Sequence, residues 1–146
     1  MPPIIKKAVL PARQFALNQK RAVMVAAMEN NKLLKFIIYW LPVILCAGLI
    51  SYLSSIPGDD VPELFENQDI ILHIIEYAVL AFFVNRAVIA YFNLSYTQRF
   101  LWIFIFCLFY AILDEWHQSF VLGREPALID VVNDSIGVFL TNLFYK

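Results

Sequence analysis

The sequence is poor in charge and rich in apolar residues. Only 16% of its 146 residues are Asp, Glu, Lys or Arg, whereas 61% are hydrophobic and 16% are aromatic. Soluble domains have an apolar share nearer about 45–50%. The composition therefore excludes an ordinary soluble domain and predicts a single domain that lies in a lipid bilayer.

The chain also has few cysteines and no recognised metal-binding spacing. Cys46 and Cys107 both lie in apolar runs, where a thiol behaves as a small hydrophobic side chain. No HExxH or CxxC spacing occurs, and ligands drawn from several helices cannot be inferred from spacing alone. We therefore predict no disulfide, no metal and no cofactor, with a divalent metal held by imidazole and carboxylate groups as the less favoured alternative.

The first 35 residues are short of acid. Glu29 is their single acid, against seven bases: Lys6, Lys7, Arg13, Lys20, Arg21, Lys32 and Lys35. The longest apolar run, Ala22 to Met28, is too short for a signal-peptide core, so we expect no cleaved secretory signal. The stretch from Gln14 to Asn31 fits either a short helix on the anionic inner leaflet or a mobile basic tail. We predict a basic cytoplasmic segment over residues 1–35.

Four apolar runs follow this segment. The first, Phe36 to Ser55, has 20 uncharged residues, which at about 1.5 Å per residue cross a hydrocarbon core of roughly 30 Å. The other runs cover about residues 69–92, 98–120 and 127–145, and the turns before the last two are short enough to make chain neighbours antiparallel. The sequence therefore predicts an all-α membrane domain over residues 36–146, with four transmembrane helices in an antiparallel bundle.

The charges separate by side of the membrane. The excess of Lys and Arg before the first span predicts that both termini are cytoplasmic. With this orientation, ten of the eleven bases fall on the inner half, with Arg124 as the exception, and Glu29 is the one inner acid among twelve. We therefore predict a multi-pass inner-membrane protein whose acidic groups lie at the outer face.

The polar residues inside the spans concentrate at the outer ends of the last three. Residues three or four apart share a helix face, and on that basis they form three stripes: Asp69, His73, Glu76 and Tyr77; Asp114, His117 and Gln118; Asp130, Asn133, Asp134 and Gly137. Glu115 lies beside Gln118 and about 100° around the helix from Asp114, so at least one of the two adjacent acids is expected to face a different neighbour. Because lipid would leave these groups unsatisfied, the stripes are expected to face one another in a polar pocket open to the outside.

Two groups of side chains in this pocket are candidates for catalysis and for ligand binding. The candidate catalytic residues are His73, Glu76, Tyr77, Asp114, Glu115 and Gln118, and the candidate binding residues are Arg124, Asp130, Asp134 and His117. Arg124 is the only base on the outer side, and a guanidinium can clamp a carboxylate or a phosphate. An imidazole beside carboxylates, or two adjacent acids, can exchange protons. In the alternative, these side chains only hold the helices together. His73 then hydrogen-bonds an acid of the third span, and one of the adjacent acids Asp114 and Glu115 pairs with Arg124 while the other stays protonated.

The order and spacing of four motifs resemble the VanZ-like family of small bacterial membrane proteins, which is named for a member associated with teicoplanin resistance. The motifs are His73-x-x-Glu76-Tyr77, Asp114-Glu115-x-His117-Gln118, Gly123-Arg124 and Asp130-x-x-x-Asp134-x-x-Gly137. The resemblance covers about residues 36–145. Ile70, Leu122 and Asp134 stand where the family often has lysine, proline and asparagine. The resemblance implies a bacterial multi-pass envelope protein linked to glycopeptide resistance.

These observations together predict an outward pocket that binds or modifies an anionic envelope molecule, such as a lipid-linked cell-wall precursor or a phospholipid head group. Membrane lipids are the expected partners, and no nucleic acid is expected. A structural or partner-binding protein would use the same stripes only to lock its helices together. A small transporter is disfavoured because the inner halves of the spans offer little polarity beyond Asn85 and Arg86. The residues are compatible with an enzyme and with a binding protein, and with any oligomeric state.

Overall fold

All regular structure in the described part of the chain is helical. The computed structural model describes residues 13–23, 26–27, 31–62 and 64–145. Its main helices are α1 (Lys32–Tyr39), α2 (Leu41–Ser54), α3 (Gln68–Tyr91), α4 (Tyr96–Gln118) and α5 (Leu128–Phe144), with a 3-10 turn at Gly58–Asp60. The all-α class is therefore confirmed. The run predicted as one span from Phe36 to Ser55 is interrupted at Trp40, between α1 and α2, and the bounds of α3, α4 and α5 lie within two residues of the predicted ones.

The chain divides into two units, residues 1–38 and 39–146. In the first unit, residues 13–23 and 26–27 are helical and exposed, which overlaps the short helix predicted from Gln14 to Asn31. Lys6, Lys7 and Glu29 lie outside the described residues. The position of this segment on the inner leaflet stays a prediction.

Three helical stretches of the described residues are long and apolar enough to cross a bilayer. They are Lys32–Ser54, Gln68–Tyr91 and Tyr96–Gln118, with mean hydropathies of 2.2, 1.6 and 1.6. Large apolar side chains cover the outside of these helices; Trp102 is 65% exposed and Phe109 is 61% exposed. Such a surface is unfavourable in water and suits lipid. The helices therefore indicate a membrane protein.

A proline and a capping box mark where two of the helices, α2 and α4, begin. Pro42 lies in the first turn of α2, where a missing backbone N–H costs nothing because that donor has no helical partner. At the start of α4, Ser95 accepts from the backbone of Gln98, and the Gln98 side chain accepts in return from the backbone of Ser95. This capping box satisfies two amide groups that would otherwise be exposed at the helix end.

The closest helix pair is α3 with α5, which are not neighbours in the chain. They make the most extensive contact among the described helices. Three hydrogen-bonded pairs follow in the same order along both helices, which therefore run parallel: His73–Asp134, Ala78–Thr141 and Asn85–Asn142. A Cβ atom on Gly137 would lie 2.2 Å from the carbonyl oxygen of Ile74, so only glycine permits this approach. The starts of α3 and α5 thus share one end of the bundle.

The loops at that end touch backbone to backbone. The Gly58 N–H donates to the carbonyl of Leu122 at 3.0 Å. A Cβ atom on Gly58 would lie 1.8 Å from the carbonyl oxygen of Gly123, whose own φ is +73°, a value that favours glycine. The loop after α2 is therefore fastened to the loop after α4. We call this end of the bundle, where α2 and α4 finish and α3 and α5 start, the polar end.

Candidate functional site

His73 is held at the polar end by an acid of α5. Its Nδ1 lies 2.9 Å from Oδ1 of Asp134, and the two side chains are 12% and 1% exposed. It is the one salt bridge between described residues, and it is an ion pair only when the imidazole is protonated. The alternative that His73 hydrogen-bonds an acid of the third span, which is α4, was therefore wrong about the partner, because Gly137 lets α5 approach α3 closely.

Asp114 joins α4 to the last turn of α2. Its Oδ2 accepts a hydrogen bond from the Ser54 hydroxyl at 2.7 Å and a longer one from the Gln118 amide at 3.4 Å. The same amide lies 3.3 Å from the serine hydroxyl, and all three side chains are buried. The other oxygen, Oδ1 of Asp114, has no hydrogen-bond partner among the described residues. The cluster therefore ties two helices together and still leaves acceptor capacity unused.

Glu115 faces away from Asp114, as its position on the helix predicted. Its Oε2 accepts from the backbone N–H of Ala127 at 2.8 Å, and Ala127 is the residue that precedes α5. Its Oε1 is buried and has no hydrogen-bond partner within the described ranges. The two adjacent acids thus serve different neighbours, which confirms that expectation.

Arg124 caps the end of α2. Its Nε donates to the carbonyl of Ile56 at 3.1 Å, and its Nη2 donates to the carbonyl of Leu53 at 3.3 Å. No acid of the described residues forms an ion pair with it, so the alternative that it pairs with Asp114 or Glu115 was wrong. The last carbonyls of a helix lack intrahelical donors, and here two carbonyls at the end of α2 accept hydrogen bonds from the guanidinium instead. Three of its five N–H donors remain for another partner.

The remaining predicted residues are more scattered. His117 is exposed, and its Nε2 lies 2.9 Å from the hydroxyl of Ser55. Tyr77 is fully buried beside the Tyr110 ring, and its hydroxyl has no hydrogen-bond partner among the residues that the structure describes. Glu76 is half-buried. These three side chains therefore do not join the pairs formed by His73 and Asp114.

Two cavities lie at the polar end. The larger has a volume of about 580 Å³, and we call it the polar cavity; its lining includes Asp69, His73, Gln118, Arg124, Glu125 and Asp130. The smaller, of about 260 Å³, shares Asp69, His73, Gln118 and Arg124 and adds Ser54 and Glu76. His73 and Arg124 thus border both spaces. A polar lining of this size at one end of an apolar molecule marks the candidate site.

Residues 36–146 match the family model described as VanZ/LLP1. The chain belongs to the VanZ/LLP1 family. The resemblance inferred from the motifs is thereby confirmed, and the apolar helices agree with a membrane protein of this family. Neither a curated protein nor a solved structure matches the chain.

The matched VanZ/LLP1 region also contains a group of side chains with metal-binding character. One ring nitrogen of His73 and one carboxylate oxygen each from Glu115 and Asp130 lie within 4.8 Å of one another. They come from α3, α4 and α5, so no spacing in the sequence could have revealed them.

Two contributors to this VanZ/LLP1 site were missed from the sequence. Ser54 lies near the outer end of the predicted first span, at the depth predicted for Asp114, to which its hydroxyl donates. Gly58 and Gly123 contact each other through their backbones, and this contact has no sequence signal. The serine could have been found from depth; the glycine contact could not.

Proposed function

We propose that this chain is a four-span protein of a bacterial cytoplasmic membrane, with both termini inside and the polar cavity facing outward. The fourth span would be α5, whose 17 residues measure about 26 Å at 1.5 Å per residue. That length is slightly below the roughly 30 Å of a hydrocarbon core, a difference that local thinning of the bilayer accommodates at modest cost. The orientation is supported by Arg86 and Arg99, which lie toward the end opposite the polar cavity.

Single-cysteine labelling tests this orientation. In a chain with Cys46 and Cys107 replaced by alanine, Asp60→Cys should react with a membrane-impermeant maleimide in intact cells, whereas Ser95→Cys should react only after the membrane is opened. The opposite pattern would overturn the orientation.

The function we propose is binding of an anionic envelope molecule through a phosphate-bearing head group, as in a lipid-linked precursor or a phospholipid. The observation that carries it is the polar cavity, whose volume of about 580 Å³ falls within the range of roughly 300–1,000 Å³ typical of ligand sites. Arg124 would supply the N–H donors that its two carbonyl contacts leave over. An amphiphile suits this site because its tail can stay among the exposed apolar side chains of the helices.

The other polar groups would support such a ligand. Asp134 orients His73 through the 2.9 Å contact, so an imidazole with a defined orientation borders the cavity. Proton transfer to or from the ligand would involve His73 and the adjacent acids Asp114 and Glu115. Binding requires only the cavity and Arg124, whereas modification would require these proton-handling groups as well.

Lipid mass spectrometry of the protein purified in mild detergent tests the binding proposal. A phosphate-bearing lipid should co-purify with the wild type and should be depleted at least severalfold in Arg124→Ala. Arg86→Ala is the matched control, because this base lies away from the cavity against the rings of Tyr39 and Phe82. Equal lipid content in the two variants would contradict the role of Arg124.

A second variant separates binding from helix capping. Val61 lines both cavities, and Val61→Trp would obstruct them with a bulky ring while leaving the hydrogen bonds of Arg124 in place. The plugged protein should lose the lipid and keep the wild-type melting temperature. Retention of the lipid in Val61→Trp would mean that the lipid binds elsewhere.

A structural or partner-binding role is the second candidate, and specific contacts favour it. The hydrogen bonds of His73, Asp114 and Arg124 each join two separate segments at the polar end. If helix locking were their whole purpose, alanine substitutions would lower folding yield in step with any cellular function. Function lost at wild-type yield would reject this reading.

A further inference from the structure

We infer that the polar end holds a divalent transition-metal ion, Zn²⁺ or Mn²⁺, ligated by His73, Glu115 and Asp130. Their candidate ligand atoms all lie within 4.8 Å of one another. Ligands about 2.1 Å from a common ion are at most about 4.2 Å apart, so small side-chain adjustments would complete the geometry. The sequence predicted no metal because these three residues belong to three different helices.

The histidine is already oriented as a metal ligand. Its Nδ1 lies 2.9 Å from the carboxylate of Asp134, which is 1% exposed. A neutral His73 ring that donates from Nδ1 to this carboxylate keeps its lone pair on Nε2. A carboxylate behind a ligating histidine is the usual outer partner at metal sites, where it fixes the ring and raises its basicity. Asp134 would therefore be a positioning residue for His73.

A second and independent observation points to a cation. Glu115 is 7% exposed, and its Oε2 is occupied by the backbone N–H of Ala127. Its Oε1 has no hydrogen-bond partner in the described ranges. A buried charged oxygen without a partner is costly and calls for an ion or a donor. Glu115 thus offers a buried ligand atom that no described group satisfies.

The charge balance at the polar end favours the same conclusion. Glu76, Asp114, Glu115, Asp130 and Asp134 gather there. Within the described residues the one salt bridge they form is the His73–Asp134 contact, which a neutral imidazole leaves without a positive charge. The nearby guanidinium of Arg124 donates to carbonyls instead. A divalent ion would offset this excess of negative charge. One imidazole with carboxylates suits Zn²⁺ or Mn²⁺, whereas Mg²⁺ and Ca²⁺ prefer oxygen ligands throughout.

The ion would also explain how an acid-lined cavity could accept an anion. His73 and Asp130 both line the polar cavity, and three protein ligands leave a coordination position for a water molecule or a phosphate oxygen. This last step rests on the proposed function. The metal site itself does not.

Metal binding to the full-length protein tests the inference without any lipid. The protein is purified in detergent, stripped with a chelator and titrated calorimetrically with Zn²⁺ or Mn²⁺ alone, and bound metal is then measured by elemental mass spectrometry. We expect one ion per chain for at least one of the two metals. A stripped, folded wild type that binds neither would overturn the inference.

Matched variants locate the ion. Glu115→Gln and Asp130→Asn should each weaken binding by at least tenfold, and Asp134→Asn by about 10–100-fold through the histidine. Asp59→Asn is the control, since this exposed carboxylate lies outside the cluster, and the variant should bind metal as the wild type does. Asp130 is only half-buried, so its variant remains informative if Glu115→Gln fails to fold. Wild-type affinity in a folded Asp130→Asn would overturn the assignment.

The two proposals can fail separately. Stoichiometric metal without a co-purifying lipid would retain the metal site and reject the head-group site. A lipid that stays bound to chelator-stripped protein, with no metal uptake, would reject the metal site and retain the head-group site.

Discussion

Replacing Gly137 with alanine tests how the polar end is assembled. The added Cβ would lie 2.2 Å from the carbonyl oxygen of Ile74, about 1.2 Å inside the 3.4 Å at which ordinary contact begins. The obstacle is helix backbone, which cannot rotate away as a side chain can. The helices α3 and α5 must therefore separate, and an equal shift at His73 would stretch its 2.9 Å contact with Asp134 beyond hydrogen-bonding range.

Two opposing effects decide the size of the change. Overpacking of a close contact costs about 1–3 kcal/mol, whereas glycine to alanine inside a helix gains up to about 1 kcal/mol. The steric cost exceeds the gain in helix propensity, so we expect a net loss of roughly 1–2 kcal/mol in the free energy of unfolding. The site should weaken along with the fold, because Asp134 lies one turn before the substituted position.

The assay compares unfolding of purified variants in one detergent, by thermal melting and by denaturant titration. Gly48→Ala is the matched control, because this residue lies within α2 and a Cβ there would meet nothing within 4 Å. The control should unfold at or slightly above the wild-type midpoint, while Gly137→Ala should unfold below it. A Gly137→Ala protein as stable as Gly48→Ala would refute the reasoning about close helix approach.

Three further changes are measured by the same melting assay. Gly58→Ala should destabilise the protein, since its Cβ would meet the Gly123 carbonyl at 1.8 Å; an unchanged midpoint would reject the loop contact. Asn85→Leu should cost about 1–2 kcal/mol, because the buried side-chain oxygen of Asn142 would lose the Asn85 donor that lies 2.8 Å away. Adding Asn142→Leu should recover part of this loss; a further drop would contradict the pairing. Ser95→Ala should cost about 1 kcal/mol through the lost capping box; wild-type stability would mean that the box contributes nothing.

Much of the site was predictable because helical periodicity and hydropathy fix both face and depth. The spacing of Asp130, Asp134 and Gly137 predicted one stripe, and the structure places the last two against α3. The separate directions of Asp114 and Glu115 followed from the 100° step between adjacent helical residues. The face on which a residue lies is a property of a single helix, so it can be read from the spacing of residues in the sequence.

What could not be predicted depends on which helices meet. The stripe of His73 could have faced α4 or α5, and periodicity does not choose between them. A glycine on the same face as Asp134 was a usable hint, since small residues allow membrane helices to approach closely. The partners of Arg124 had no such hint, because backbone carbonyls at a helix end look alike in every sequence. Its role as a cap therefore emerged only in three dimensions.

The pinning of α3 to α5 has a mechanical consequence. Their polar pairs lie at both ends of the contact, with Gly137 between them, so these two helices should move as one rigid wall. The opposite wall is the last turn of α2, which Arg124 holds through two carbonyls. Asp114 holds the same turn through the Ser54 hydroxyl, so we expect a molecule to enter and leave only when the contacts of both Asp114 and Arg124 with this turn open.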